Sequence, residues 1–260
     1  MIHPPDNPTL RTALAQQPLL GLCVTYPAPG IIERIGADWD WIWIDGQHGE
    51  LHGSDLLEAV RTCDVVGRPA VVRVPGSAYG AIGKALDTAA AGVMAPMVQD
   101  ATQAGELVQA AKFPPLGIRS YGGRRPIDRF GRSYAQPEHA RQPLLICQIE
   151  SPNGLKNVEA IAAVDGVDVL FFGADDMALQ AGLPLDQPRP AGYFDEALQR
   201  VAAAAAAEGK LAGGVFTTTE ALQQAVELGY RLIAGSADAS LLAAGSREAS
   251  QLLRNQIVKT

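Results

Sequence analysis

Leu144-Leu-Ile-Cys-Gln-Ile-Glu150 decides how this chain reads. It is an apolar run with two β-branched residues, closed by Ser151-Pro152-Asn153-Gly154, and it predicts a buried β-strand. A parallel strand covered on both faces is apolar throughout. This one is apolar until Gln148 and Glu150, which sit two residues apart and so point to the same side. A second stretch repeats the plan. Asp168-Val-Leu-Phe-Phe172 is another apolar strand, and it runs into Gly173-Ala174-Asp175-Asp176. Each of the two strands therefore delivers a carboxylate at its C-terminal end. Such a pair, with positions left open for water and substrate, suits a hard divalent cation.

Outward from this pair, short apolar segments alternate with helical ones. The predicted strands are Leu20–Val24, Trp41–Asp45, Ala70–Val74, Gly92–Ala95, Leu144–Glu150, Asp168–Phe172, Leu211–Val215 and Arg231–Ala234. Helical periodicity marks Ser54–Val66, Tyr79–Ala90, Ala101–Ala111, Phe194–Glu208 and Thr218–Leu228. Asp100 and Thr218 stand as N-caps, and Gly67, Gly209 and Gly229 as C-caps. Strands and helices alternating over about 250 residues predict a (β/α)8 (TIM) barrel, with a doubly wound open sheet as the alternative. Residues 1–260 read as one barrel domain, with 238–260 as a C-terminal helical extension. Leu116–Pro143 breaks the rhythm and reads as a long functional loop. The last segment, Ala239–Val258, reads as a helix interrupted at Gly245-Ser246. Its Leu241, Leu242, Leu252, Leu253 and Ile257 need burial against the barrel or a partner chain.

Composition narrows the partners. The 260 residues are 47% hydrophobic and 19% charged, an ordinary globular balance. A formal net charge of -7 argues against nucleic acid or an anionic membrane as main partner. Cys23, Cys63 and Cys147 are odd in number and form no CxxC, so they read as reduced thiols of a cytoplasmic protein. The opening residues do not read as a signal peptide, and no apolar run is long enough for a membrane span.

Barrel enzymes build their sites at the C-terminal ends of the strands. The second predicted strand ends in Asp45, followed by Gly46-Gln47-His48. A carboxylate near an imidazole suits acid–base work, although Asp45 could equally cap the turn beside a solvated His48. Arg73 closes an apolar strand, and a buried Arg needs an anion. That anion is either a barrel carboxylate such as Glu150 or a substrate, and the two roles are compatible. HxxxH spacing is absent, which argues against a His-rich zinc site; oxygen ligands point to Mg or Mn, with Co, Ni or Zn as further options. A Schiff-base mechanism needs a lysine at the mouth. Lys84, Lys112, Lys156, Lys210 and Lys259 all fall elsewhere on this reading. The turns Ala212-Gly-Gly-Val215 and Ala234-Gly-Ser236 resemble barrel phosphate sites, but could equally make room for strand packing.

The ordered set Trp41-Ile-Trp-Ile-Asp-Gly-Gln-His48, Val72-Arg-Val74, Ala95-Pro-Met97, Gln148-Ile-Glu150 and Gly173-Ala-Asp-Asp-Met177 resembles the HpcH/HpaI family of metal-dependent pyruvate aldolases. Gly117-Ile-Arg-Ser-Tyr-Gly-Gly-Arg124 fits that family's loop. The resemblance covers nearly the whole chain. It implies a barrel whose divalent metal is held at Glu150 and Asp176, with substrate contacts from Arg73 and Gln148. It also implies an Asp45–His48 base dyad, and backbone N–H groups around Gly173, Asp175 and Asp176 that meet a substrate carboxylate. Asp87 matches an aspartate that reaches a neighbouring subunit's site. The resemblance further implies a hexamer, a trimer of dimers with exchanged terminal helices. Two positions depart: Gln47 stands where the family often has Glu, and Asp175 where a small residue is usual. The expected activity is that of a class II aldolase on 4-hydroxy-2-keto acids, with pyruvate or hydroxypyruvate as nucleophile and an aldehyde as acceptor. The alternatives are an acyl-CoA lyase of the citrate lyase β type and a non-catalytic barrel binding a 2-keto acid or a metal.

Overall fold

A strand that is apolar on both faces needs cover on both, and here the segment after each strand supplies it. The computed structural model describes residues 9–136, 143–187, 190 and 192–257. The chain begins α1 (Leu10–Gln16), β1 (Leu19–Val24), α2 (Pro29–Ile35), β2 (Trp41–Asp45), α3 (Ser54–Val65), β3 (Ala70–Arg73), α4 (Tyr79–Asp87), β4 (Gly92–Ala95) and α5 (Ala101–Ala111). It continues α6 (Arg124–Phe130), β5 (Leu144–Ile149), α7 (Pro152–Lys156), α8 (Val158–Ala162), β6 (Val169–Phe172), α9 (Ala174–Gln180) and α10 (Asp195–Ala207). It ends β7 (Leu211–Val215), α11 (Thr219–Glu227), β8 (Tyr230–Ala237) and α12 (Asp238–Ile257). All eight strands pair in parallel with their sequence neighbours, and β1 pairs with β8 to close the barrel.

Closure separates two apolar cores. Ile42, Ile44, Val72, Val93, Leu145 and Leu170 belong to the cluster shared with the helices. Trp43, Val71, Met94, Ile146, Phe171 and Leu232 form the other, inside the barrel. There Trp43 meets Phe171 edge-on at 5.5 Å, so the interior is a packed core rather than a pore. Leu10 and Leu14 of α1 join this inner cluster and close the N-terminal floor. Asp168 ties the floor together: it pairs with Arg11 at 2.8 Å and Lys112 at 2.6 Å, and accepts the Leu145 N–H at 2.7 Å.

The predicted caps are present. Asp100 accepts from the Gln103 N–H at 2.9 Å and Thr218 from the Ala221 N–H at 3.2 Å. Gly67, Gly209 and Gly229 follow their helices with φ of 70°, 62° and 92°. Two readings need correction. The stretch Leu116–Pro143 is not structureless: α6 lies within it, and Arg132–Ala135 form a 3-10 turn. Tertiary ties account for α6, because Arg125 and Arg129 both pair with Asp64 of α3 and Arg125 Nη1 donates to the Thr88 carbonyl at 2.6 Å. Also, α12 is continuous through Gly245-Ser246. One helical glycine costs only about 1 kcal/mol, too little to break twenty residues. Residues Ser240 to Ile257 are all exposed, so this helix leaves the barrel. Val258 and Lys259 lie outside the described residues.

Candidate active site

Parallel closure brings the ends of all the strands to one mouth. Asp45 and Arg73 are the last residues of β2 and β3 and are register partners. Arg73 donates Nε and Nη2 to the two Asp45 carboxylate oxygens at 2.9 and 2.6 Å. Both residues are buried, and the guanidinium lies 4.7 Å from the centroid of the Trp43 ring. Asp45 Oδ1 also accepts from the backbone N–H groups of Gln47 and His48, at 3.1 and 3.2 Å. Burial opposes ionisation of Asp45. The Arg73 guanidinium and the two N–H groups outweigh it and hold the carboxyl below its ordinary range. His48 itself is exposed, one turn beyond the strand. Asp45 therefore meets His48 through the backbone; among the described residues no hydrogen bond reaches the imidazole.

Across the mouth, Glu150 follows the last residue of β5 and is buried. Its Oε1 accepts the Met97 N–H at 2.8 Å. Met97 adopts a left-handed backbone with φ 56°, uncommon for a residue with a side chain, and this local cost accompanies an N–H delivered to the carboxylate. Gly173, just past β6, packs so closely that a Cβ there would collide with the Glu150 carboxylate. Burial pushes the Glu150 carboxyl up; the Met97 N–H opposes that, and the negative charge of Asp176 pushes it further up. Asp176 lies in the first turn of α9, with Asp175 exposed beside it. Gln148 is buried, and its Oε1 has no partner among the described residues.

These groups fit a hard cation. The negative charge of Asp176 adds to the upward push on the Glu150 carboxyl, and the buried Gln148 amide oxygen has no donor among the described residues. Among the described residues no three or more His, Cys, Asp and Glu side chains form a metal group. The protein thus offers a sparse oxygen set, of the kind that leaves most positions of a Mg- or Mn-like ion to water and substrate.

The other sequence candidates fall elsewhere. Asp87 ends α4, beside the start of β4 and so at the floor end of the barrel. There Arg119 Nη2 approaches it at 3.4 Å, and Arg119 stacks on Phe113 at 4.7 Å. Within one chain, Asp87 and His48 are not brought together. Lys112 is buried at the floor and donates to Asp168 and the Pro143 carbonyl. The glycines of β7 and β8 serve packing. A Cβ on Gly213 would meet the Phe171 ring and the Leu232 carbonyl, and one on Gly235 would meet Leu20 and Trp39. Sequence reasoning missed the roles of Trp43 and Met97. A left-handed methionine leaves no mark in composition, and Trp43 reads as one more apolar strand residue.

The fold and mouth are those of a closed (β/α)8 barrel with buried polar groups gathered at the C-terminal ends of its strands. The family described as HpcH/HpaI aldolase/citrate lyase matches residues 28–244. A 4-hydroxy-2-oxovalerate aldolase of Novosphingobium aromaticivorans is 35% identical, the match covering 96% of this chain and 95% of that protein. A hydroxypyruvate/pyruvate aldolase of Delftia acidovorans is 34% identical over 92% of this chain and 89% of its own length. Among solved structures, an HpcH/HpaI aldolase/citrate lyase family protein of Burkholderia cenocepacia superposes with a TM-score of 0.85. That pair is 34% identical, with 95% of this chain and all of the other covered. The chain belongs to the HpcH/HpaI aldolase/citrate lyase family, and it is a lyase of the aldolase type. Dependence on a divalent metal is general in this family.

Proposed function

We propose that this chain catalyses reversible aldol addition and cleavage of 4-hydroxy-2-keto acids, with pyruvate or hydroxypyruvate as nucleophile and an aldehyde as acceptor. The observation that carries the reading is the buried Glu150 carboxylate, beside Asp176 and within the influence of Arg73 at one mouth. Glu150 and Asp176 would hold the cation, Mg or Mn in preference to Co, Ni or Zn. When bound, it supplies Lewis acidity toward the carboxylate and keto oxygens of the 2-keto acid. Gln148, whose Oε1 has no hydrogen-bond partner among the described residues, would contact the same substrate through its amide. Arg73 spends Nε and Nη2 on Asp45, which leaves Nη1 for the charge that develops on the keto oxygen. The Gly173 N–H is given to the Ile149 carbonyl at 3.1 Å, so the backbone N–H groups of Asp175 and Asp176 in the first turn of α9 are the ones that suit the substrate carboxylate. Asp45 fixes both Arg73 and the backbone of His48, and the exposed imidazole moves the proton of the aldol hydroxyl.

The proposed assembly is a homo-oligomer, a hexamer built as a trimer of dimers. α12 presents Leu242, Leu252, Leu253 and Ile257 to solvent at 53%, 64%, 65% and 73% exposure, which an interface would cover. Asp87 stands at the floor end, where it is available to a neighbour's mouth rather than its own. The unpaired Cys23, Cys63 and Cys147 fit the reducing cytoplasm, and no helix among the described residues is long and apolar enough to cross a membrane.

The test is retro-aldol turnover with added Mn or Mg against a chelator-treated control, for the parent, Glu150→Gln and Asp176→Asn. Turnover should require metal, and each substitution should abolish it and weaken Mn binding by calorimetry. Full activity of either variant in chelator would overturn the metal reading; Mn binding without turnover would leave a binding barrel.

A further inference from the structure

We propose that Asp238 is a positioning residue for the catalytic turn: its carboxylate holds the Thr25–Tyr26 backbone, and Thr25 holds the turn that carries His48. The inference rests on the reading of His48 as the proton-transfer group.

Asp238 is fully buried where β8 passes into α12. The Thr25 N–H donates to both of its oxygens at 3.0 Å, and the Thr25 hydroxyl to Oδ1 at 2.7 Å. The Tyr26 N–H donates to Oδ2 at 3.1 Å and the Ala239 N–H to Oδ1 at 2.7 Å. Every one of these donors is neutral, and among the described residues no cation pairs with Asp238. A buried carboxylate is costly to keep ionised, and neutral donors offset that only when several converge in good geometry. The convergence here falls on two consecutive residues of the β1–α2 loop. That loop is thereby fixed against the β8 side of the barrel.

Thr25 passes the constraint on. Its carbonyl accepts the Glu50 N–H at 2.7 Å. Gly49 is pressed between the Asp45 and Thr25 carbonyls, and a Cβ on it would lie 2.9 Å from the Thr25 oxygen. The segment Gly46–Glu50 is therefore held at both ends. Asp45, anchored on Arg73, fixes its start through the Gln47 and His48 N–H groups. Thr25, anchored on Asp238, fixes its end. His48, exposed and without a side-chain hydrogen bond among the described residues, depends on these two anchors for its place.

The experiment compares Asp238→Asn, Thr25→Val, Thr25→Ser and His48→Gln with the parent. Asp168→Asn, a change to a partly buried, ion-paired carboxylate at the floor, is the control. Retro-aldol kcat and KM, Mn affinity by calorimetry and thermal midpoints are measured on the intact protein. Asp238→Asn sets an amide NH2 against N–H donors and should lower kcat at least about tenfold, while KM and Mn affinity stay within about twofold. Thr25→Val, which removes one hydroxyl donor, should lower kcat about threefold or more, and Thr25→Ser should restore it. Asp168→Asn should lower the thermal midpoint and leave kcat near the parent's. Should Asp238→Asn fail to fold, the Thr25 pair decides. A folded Thr25→Val with the parent's kcat, beside an inactive His48→Gln, overturns the role of Asp238. Mn affinity falling in step with kcat overturns it too. An active His48→Gln overturns the underlying reading of His48, and this proposal with it.

Discussion

Arg73 and Asp45 form a two-point pair across adjacent strand ends, Nε to Oδ1 at 2.9 Å and Nη2 to Oδ2 at 2.6 Å, although Glu150 shares the same mouth. The pairing sets the guanidinium plane. It also makes Asp45 a support for Arg73 as much as for His48.

Arg73→Lys should therefore be a severe change. An ammonium is a point charge that cannot span both carboxylate oxygens and still face a substrate. The expected result is a loss in kcat of at least about tenfold, with Mn affinity retained. Steady-state kinetics and calorimetry on the variant check it; an unchanged kcat would confine Arg73 to a structural role.

Asp45→Asn tests the pair through pH. The folded carboxyl is held low, so its stabilisation is complete above the unfolded value of about 3.9 and is lost as pH falls through the lower folded value. Breaking a buried pair on one side costs about 3 kcal/mol. Urea denaturation of parent and variant should show that gap unchanged from about pH 7 to 5, narrowing only below about pH 4. A gap already closed at pH 5 would contradict the depressed carboxyl.

The enzyme should form no imine with its substrate. Lys112 is committed to Asp168 and to the Pro143 carbonyl at the floor, and Lys84 lies on α4. Borohydride added with pyruvate should leave the mass of the protein unchanged. A stable adduct mapped to any lysine would refute this.

Sites should be completed between subunits. Asp87→Ala and His48→Ala, each nearly inactive, would be dissociated, mixed and reassembled. Mixed oligomers should regain part of the activity, because some interfaces then join an intact Asp87 to an intact His48. Demonstrated subunit exchange without recovery, or a fully active monomer, would exclude a shared site.

The barrel was legible in the sequence because strand and helix periods are local signals. Trp41–Asp45, Gly92–Ala95 and Leu211–Val215 coincide with the observed strands, and Leu144–Glu150 runs one residue long. Asp45, Arg73, Glu150 and Asp176 were legible as polar residues at strand ends. What was not legible depends on contacts distant in sequence. α1 reads as an unremarkable N-terminal stretch until the barrel floor exists for Leu10 and Leu14 to fill. α6 is held by Asp64, about sixty residues earlier in the chain. The sequence offered Glu150 or a substrate as the anion for Arg73; the β2–β3 register instead sets Asp45 beside it. The Asp238–Thr25 contact spans 213 residues, and no local pattern announces it.

Gly173 has a consequence for anyone redesigning this mouth. A Cβ at 173 would lie 2.6 Å from Glu150 Cβ, and one at 49 would lie 2.9 Å from a backbone oxygen. Random libraries at these two positions should return glycine alone, whatever aldehyde is used for selection. Val215, at the end of β7 and 42% exposed, meets no such wall. Evolvability at this mouth is thus unevenly distributed: new acceptor scope has room to enter from the β7 side, while the Glu150 side stays frozen.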